Sequence, residues 1–290
     1  MCRLFGFNSG KDAIHAAYWL LEAPDSMLDQ GERNPDGTGI GWFSADGTAR
    51  MDKQPLATDT DPSFVREAKR VDTAQLVSHV RMTLLPKGSD SALGKDHLLV
   101  DTHPFLIDDR LMAHNGGFGD LEKLDEHLGP YLAQVKGHTD SERFAALIAK
   151  ESAASGDVVE GISTAATWIS QNLPMYSLNT IVIAEGNLYA LRYPDQRSLH
   201  VARRTVTPGD DWRGRSSLAE HRLRAEGTDD VSVVLVASER VDDSDDWRLL
   251  NPGELIHVDP DLNVTSQVAV ADPPAMLHPP HEPDPNDDRD

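Results

Sequence analysis

The chain opens Met1-Cys2-Arg3-Leu4-Phe5-Gly6-Phe7, and the reading of this stretch decides the fold. Cys2 is the only cysteine in 290 residues. Removal of Met1 would leave its thiol and a free α-amine on one residue. Such an amine titrates near 7.7–8.0, so part of it is unprotonated at neutral pH and able to take the thiol proton. A frayed end is the ordinary fate of position 2. Against that, Leu4, Phe5 and Phe7 read as a strand entering a core, and an exposed thiol is a chemical liability unless it is used.

The composition sets limits on that reading. With 39% apolar residues the chain can build a substantial core, and its length allows one large domain or two ordinary ones. No run is long and apolar enough to span a membrane, and no basic region precedes an apolar stretch at the N-terminus, which predicts a cytoplasmic protein. One cysteine excludes an internal disulfide framework and a cysteine-based zinc site. The twelve histidines are scattered without close-spaced ligand pairs, so neither a metal nor any other cofactor is expected. Twenty-seven basic residues face 48 acidic ones, a formal charge of −21 that would repel nucleic-acid phosphates.

Outward from Cys2, the order of elements reads as mixed α and β. Asp12 is a candidate cap for a helix over 13–21, ended by Pro24. Gly37, Gly39 and Gly41 alternate along a strand and share one face, leaving room for a backbone or a ligand to approach. Ser44-Ala45-Asp46-Gly47 predicts a hairpin turn. A helix over 62–70 precedes a strand over 74–81, which places His79 and Arg81 on one face at the strand's end. An Arg there is positioned to clamp a carboxylate with two hydrogen bonds, although a surface Arg is commoner. A loop without periodicity, 82–100, has the length of a lid or binding segment.

The strand 111–113 runs into His114-Asn115-Gly116-Gly117. The Asn115 amide and the Gly116 N–H can converge on one point, as an oxyanion hole requires; Asn-Gly is equally the signature of a β-turn. Thr139-Asp140-Ser141-Glu142 opens a helix over 143–152. Thr139 or Asp140 can cap it, and the Asp140 carboxylate can alternatively hold an ammonium group. A helix over 158–172 and strands over 178–184, 188–193, 199–202, 231–237, 254–258 and 264–270 follow, with a polar insertion over 208–230. One domain over 2–271 is expected, followed by an acidic, Pro-rich tail, 272–290, expected to be disordered.

Taken in order, Cys2, Asp36-Gly37-x-Gly39, His79-x-Arg81, His103-Pro104-Phe105, His114-Asn115-Gly116 and Thr139-Asp140-Ser141-Glu142 resemble the class II glutamine amidotransferases, which are N-terminal-nucleophile hydrolases. The likeness is strong to about Glu142 and looser to about Val258. With no acceptor domain appended, the chain is similar to the stand-alone members, among them bacterial amidotransferases and the γ-glutamyl hydrolase of the ergothioneine pathway.

The resemblance implies an α+β fold, a four-layer α-β-β-α sandwich, and hydrolysis of the γ-amide of glutamine or of a γ-glutamyl conjugate. It implies Cys2 as nucleophile, Asn115 and Gly116 as oxyanion hole, Arg81 on the substrate carboxylate and Asp140 on its ammonium. His79 and the turn holding Thr83 would add substrate contacts, and Arg33, in an Arg-x-x-Asp pattern, would brace the terminal cysteine. Two other readings stay open: a glutaminase that passes ammonia to a separate synthase, and a catalytically silent binding module. The sequence departs from the small members' usual His-x-Asp-Gly-Trp-Gly at Asn34-Pro35-Asp36-Gly37-Thr38-Gly39, and is shorter after Arg81, at Met82-Thr83-Leu84.

Overall fold

The structure is a computed structural model that describes residues 2–82, 99–184, 186–206 and 230–277. Two antiparallel sheets carry it. The first has seven strands: β1 (Arg3–Asn8), β3 (Gly37–Phe43), β4 (Ala49–Gln54), β6 (Gln75–Arg81), β11 (His200–Val206), β12 (Val231–Ala237) and β13 (Arg248–Leu249), in the order β13-β11-β12-β1-β6-β3-β4. The second has six: β7 (Phe105–Ile107), β8 (Arg110–Phe118), β9 (Met175–Ala184), β10 (Asn187–Leu191), β14 (Glu254–Val258) and β15 (Val264–Val268), in the order β15-β14-β10-β9-β8-β7. A short pair, β2 (Ile14–His15) and β5 (Asp72–Thr73), stands apart.

Period-two alternation assigns each strand's faces. In β1, Leu4 joins the apolar layer between the sheets, where it meets Ile181 and Ile183 of β9 and Leu111 and Ala113 of β8. Phe5 and Phe7 point the other way and pack on Trp19, with ring centroids 6.1 and 6.0 Å from it. Each such ring contributes about 1.5–3 kcal/mol by burial. That outer face is covered by a π-helical turn, Tyr18–Glu22, and by the helices α1 (Met27–Glu32) and α2 (Pro62–Arg70). The outer face of the six-stranded sheet is covered by α3 (Leu121–Leu128), α4 (Asp140–Ser155) and α5 (Val158–Asn172), through Phe144, Ile148, Ile162 and Ile169. The result is the expected α-β-β-α sandwich.

Several elements keep the expected bounds: β12, α2 and α5 fall where their patterns put them, α2 capped by Asp61 and α5 by Asp157. The helix expected over 13–21 does not form. Ile14–His15 pairs with β5 instead, and only the π-turn follows. Ile14, Ala16, Ala17, Tyr18, Trp19 and Leu20 are all buried, so no solvent-facing side exists for a helical period to report.

The Asn115-Gly116 pair makes no turn. β8 continues through it to Phe118, held by pairing with β9, Asn115 opposite Asn179 and Gly116 opposite Leu178. The first residues of the stretch expected to be disordered are docked: Tyr193 donates to Asp272 O, the Ala275 N–H to Ser170 O, and the Met175 N–H to Met276 O, and Leu277 bridges to Met175. Most of the 82–100 loop, Thr83 included, most of the 208–230 insertion and the tail past Leu277 lie outside the described residues.

Candidate active site

Strand parity brings the site together. Cys2 shares the inward parity of Leu4 on β1; His79 and Arg81 share that of Val77 on β6; Asn115 shares that of Ala113 on β8. All four therefore project into the gap between the sheets, where β8 packs across from β1 and β6. β1 is a central strand, hydrogen-bonded to β12 on one side and β6 on the other, so the nucleophile's strand is fixed along both edges.

The Cys2 thiol lies against the Met82 backbone, with the Met82 N–H 3.4 Å and the Met82 O 3.5 Å from Sγ. Burial pushes its pKa up. The Met82 backbone and Arg81 pull it down, and Asp140 pushes it up again. Arg81 and Asp140 thus act on the thiol from opposite sides of charge. A thiol held above its ordinary value stays protonated near neutrality, so it needs a base to become a nucleophile.

Arg81 is half-buried, its Nη1 is fully buried, and its guanidinium has no hydrogen-bond or ion-pair partner among the described residues. A buried, unpaired guanidinium is costly unless something occupies it. Asp140 lies at the start of α4, whose N-cap is Thr139, accepting from the Glu142 N–H at 3.1 Å. The Asp140 carboxylate turns back to β8: Oδ2 accepts from the Phe118 N–H at 3.1 Å, and Oδ1 from the Ser141 N–H at 2.8 Å. The helix therefore aims this carboxylate at the end of the oxyanion strand.

The Asn115 side-chain amide makes no hydrogen bond to the described residues, whereas its backbone O accepts from Ser177 Oγ at 3.1 Å. The Leu178 N–H, opposite Gly116, donates to Tyr193 O at 2.7 Å rather than to β8. Ladder alternation then turns the Gly116 N–H away from β9, toward an edge where β7 covers β8 only from Arg110 to Met112. Both proposed oxyanion donors are thus left out of the ladder and the core network. Gly116 admits no side chain, since an added Cβ would sit 1.8 Å from Ser177 O.

The glycine face of β3 is filled by backbone. A Cβ on Gly39 would lie 2.0 Å from His103 O, and one on Gly41 2.8 Å from Pro104, so the Thr102–Pro104 segment crosses directly over the strand. Lys53 Nζ secures that crossing by donating to Thr102 O at 2.6 Å and Pro104 O at 3.2 Å; burial brings its pKa down to about 8.

The remaining expected residues divide. His79 is fully buried, its ring 4.0 Å from that of His103, which in turn stands edge-on to Phe105 at 4.7 Å. Burial, with Arg81 and His114 nearby, brings His79 down to about 3, and burial also lowers His103 well below the ordinary range. His79 is therefore a buried, neutral group beneath the gap. Arg33 pairs with Asp25 at the C-terminal end of α1 and makes no bond to Cys2. The brace on the terminal cysteine is Arg3, whose Nη1 donates to Cys2 O at 3.3 Å and whose Nη2 lies 3.7 Å from Glu239. Its signal in the sequence was only adjacency to Cys2. Ser238 adds a second anchor by accepting from the Leu4 N–H at 3.0 Å.

Among the described residues no group of three or more His, Cys, Asp or Glu is placed to hold a metal ion, and no helix is long and apolar enough to cross a membrane.

A thiol, an unpaired guanidinium, a carboxylate held at a helix start and two amide groups outside the ladder thus meet around one gap. Residues 1–277 match the family model of the class II glutamine amidotransferases, and the chain belongs to that family. Among solved structures it is similar to a glutamine aminotransferase class-II domain protein from Silicibacter pomeroyi, at 18% identity over 93% of this chain and 100% of that one, with a TM-score of 0.60. It is similar to a predicted glutamine amidotransferase from Pseudomonas aeruginosa, at 18% identity over 88% and 96%, with a TM-score of 0.56. It also matches the glutamine phosphoribosylpyrophosphate amidotransferase of B. subtilis, at 19% identity over 93% of this chain but 50% of that one, with a TM-score of 0.61. At these identities the structural likeness speaks to the fold, that of the N-terminal-nucleophile hydrolases. No curated protein matches the chain.

Proposed function

We propose that the chain hydrolyses the γ-amide of glutamine or of a small γ-glutamyl conjugate through a thioester on Cys2. The observation that carries this reading is the unpaired Arg81 guanidinium together with the Asp140 carboxylate, both near enough to the Cys2 thiol to act on it with opposite sign. A zwitterionic amino-acid end satisfies both, its carboxylate on Arg81 and its ammonium on Asp140, and each charge-assisted bond is worth about 1.5–3 kcal/mol.

With Met1 removed, the free Cys2 amine takes the thiol proton, directly or through a water. The sulfur attacks the amide carbon, and the oxyanion that forms is met by the Asn115 amide and the Gly116 N–H. As the C–N bond breaks, the ammonium formed from the amine returns its proton to the leaving nitrogen. Water then attacks the thioester, which releases the free γ-carboxylate and regenerates the thiol. Each step uses one proton carrier, so the base must be free: a retained Met1 would block the reaction.

Cys2→Ala is expected to abolish glutamate release from glutamine and γ-glutamyl conjugates while leaving the thermal unfolding midpoint within about 2 °C of wild type, since among the described residues the thiol hydrogen-bonds only with the Met82 backbone. Intact mass of the purified protein should begin at Cys2. Glutamate release that persists in Cys2→Ala, or an active protein that retains Met1, overturns the mechanism. The same screen separates free hydrolysis from ammonia supply to a partner synthase: a supplier turns over glutamine slowly when alone.

A further inference from the structure

We infer that His114 and Ser141 form a hydrogen-bond lock that keeps the Asp140 carboxylate an undivided acceptor for a substrate α-ammonium, and that they thereby set selectivity for substrates with a free α-amine. The inference rests on the functional reading above and adds two positioning residues to it.

The argument is one of proton counting. His114 is fully buried on the outer face of β8, packed edge-on against Phe144 of α4 at 5.6 Å and against Phe118 at 6.2 Å. Its Nε2 faces Ser177 O at 3.1 Å. A carbonyl only accepts, so Nε2 carries a hydrogen. In the neutral ring Nδ1 is then an acceptor, and the group facing it at 2.9 Å is Ser141 Oγ. Ser141 has one hydroxyl proton, and this contact takes it.

Ser141 Oγ also lies 3.2 Å from Asp140 Oδ1. If its proton pointed there, it would occupy one of the carboxylate's lone pairs. The lock prevents that, so Asp140 receives only the two backbone N–H bonds of Phe118 and Ser141 and keeps its outer lone pairs for a cation.

An imidazolium at His114 would reverse the arrangement. Nδ1–H would donate to Ser141 Oγ, whose proton would turn to Asp140, and a positive charge would stand beside the carboxylate meant for the ammonium. The charged and titratable groups around the ring are Asp140, which favours the imidazolium, and His79 and His103 across β8, which are held neutral. Burial outweighs Asp140, and His114 lies below its ordinary range. Ser141 is what makes the neutral ring comfortable, because it supplies the only donor that Nδ1 has among the described residues.

The test compares glutamine with glutaramate, the same amide without its α-amine. Ser141→Ala orphans Nδ1, and His114→Phe frees the Ser141 proton to turn to Asp140. In each variant the ratio of kcat/KM for glutamine to that for glutaramate is expected to fall about tenfold, through KM for glutamine, and Ser141→Thr is expected to restore it. Imidazole nitrogen NMR of the intact protein should show His114 as the neutral Nε2–H tautomer. Parallel loss of both substrates would make the pair merely structural and overturn the inference, as would an Nδ1–H tautomer or an imidazolium in the wild type. If the wild type turns over neither substrate, it is the functional reading that fails, and the NMR tautomer still decides the lock.

Discussion

Replacing Arg81 by Met separates what this residue does for the fold from what it does for a ligand. Met keeps most of the apolar stem that packs at the end of β6 and deletes the guanidinium. In the structure that group has a buried Nη1 and no partner among the described residues, so it carries the cost of an unmet donor, about 1–3 kcal/mol. Its removal should therefore raise stability, by roughly 1–2 kcal/mol after packing losses, and the unfolding midpoint by a few degrees. Activity should move the other way. A bidentate grip on a carboxylate comprises two charge-assisted bonds, roughly 3–6 kcal/mol, so kcat/KM for glutamine should fall about 10²–10⁴-fold. Part of that loss arises at the thiol, because Arg81 also lowers the Cys2 pKa. Arg81→Lys isolates that part: it returns the charge but not the fork, so kcat should recover more than KM. The assays are glutamate release and thermal unfolding with and without glutamine, which should protect wild type and not Arg81→Met. A lowered midpoint in Arg81→Met with an unchanged KM would refute the reasoning, since Arg81 would then be a structural residue with a partner.

Two further predictions concern the frame around the site. Gly39→Ala places a methyl 2.0 Å from His103 O, backbone against backbone on a strand paired along both sides, so neither partner can yield; destabilisation of about 3 kcal/mol or more is expected in urea titration, with loss of activity. Burial pushes Glu254 up, but the bonds from Arg248, the Asn251 N–H and Ser266 prevail and hold it down to about 2. A depressed carboxylate stabilises the fold above its unfolded pKa, about 4.3, and that contribution drains away as pH falls toward 2. The gap in urea midpoint between wild type and Glu254→Gln should accordingly be full at pH 5 and mostly gone by pH 2.5.

The residues proposed for the site carry plainer local signals in the sequence than the elements around them, for a physical reason. Cys2, Arg81, Asn115 and Asp140 are each marked by local chemistry: a thiol beside a terminal amine, a cation where a strand ends, an amide before glycine, a carboxylate at a helix start. Parity along β1, β6 and β8 then suffices to point the first three into one gap. What failed was whatever depended on a partner distant in sequence. The Asn115-Gly116 pair has the local signal of a turn, but eight residues of β8 paired along β9 outweigh it. The 13–21 segment is apolar on all sides, so its period carried no information, and β5 decided its start. His79 shares a face with Arg81, but its burial under the crossing Thr102–Pro104 segment rests on a stretch far along the chain and had no local signal. α1 and α3 went unread although Ser26, accepting from the Asp29 N–H, is an ordinary cap signal for the former.

The division of the site between the two sheets has a consequence for how it works. On the proposed reading, the nucleophile Cys2 and the carboxylate clamp Arg81 belong to the seven-stranded sheet, on β1 and β6, whereas the oxyanion donors Asn115 and Gly116 and the ammonium clamp Asp140 belong to the six-stranded sheet and α4. A substrate therefore bridges the gap, and catalytic geometry depends on the sheets' separation more than on either sheet alone. Leu4, Val77, Ala113 and Ile181 set that separation, and Gly6 lets it be small, since a Cβ there would lie 3.1 Å from Ile181. Interiors at this density respond to single methyl groups, so a conservative change in the layer, such as Ala113→Val, is felt as a displacement between the two halves of the site. The sheets' own hydrogen bonds would survive such a change, because they run within each sheet and not across the gap. On this reading, activity depends on the apolar layer between the sheets as well as on the side chains that face the gap.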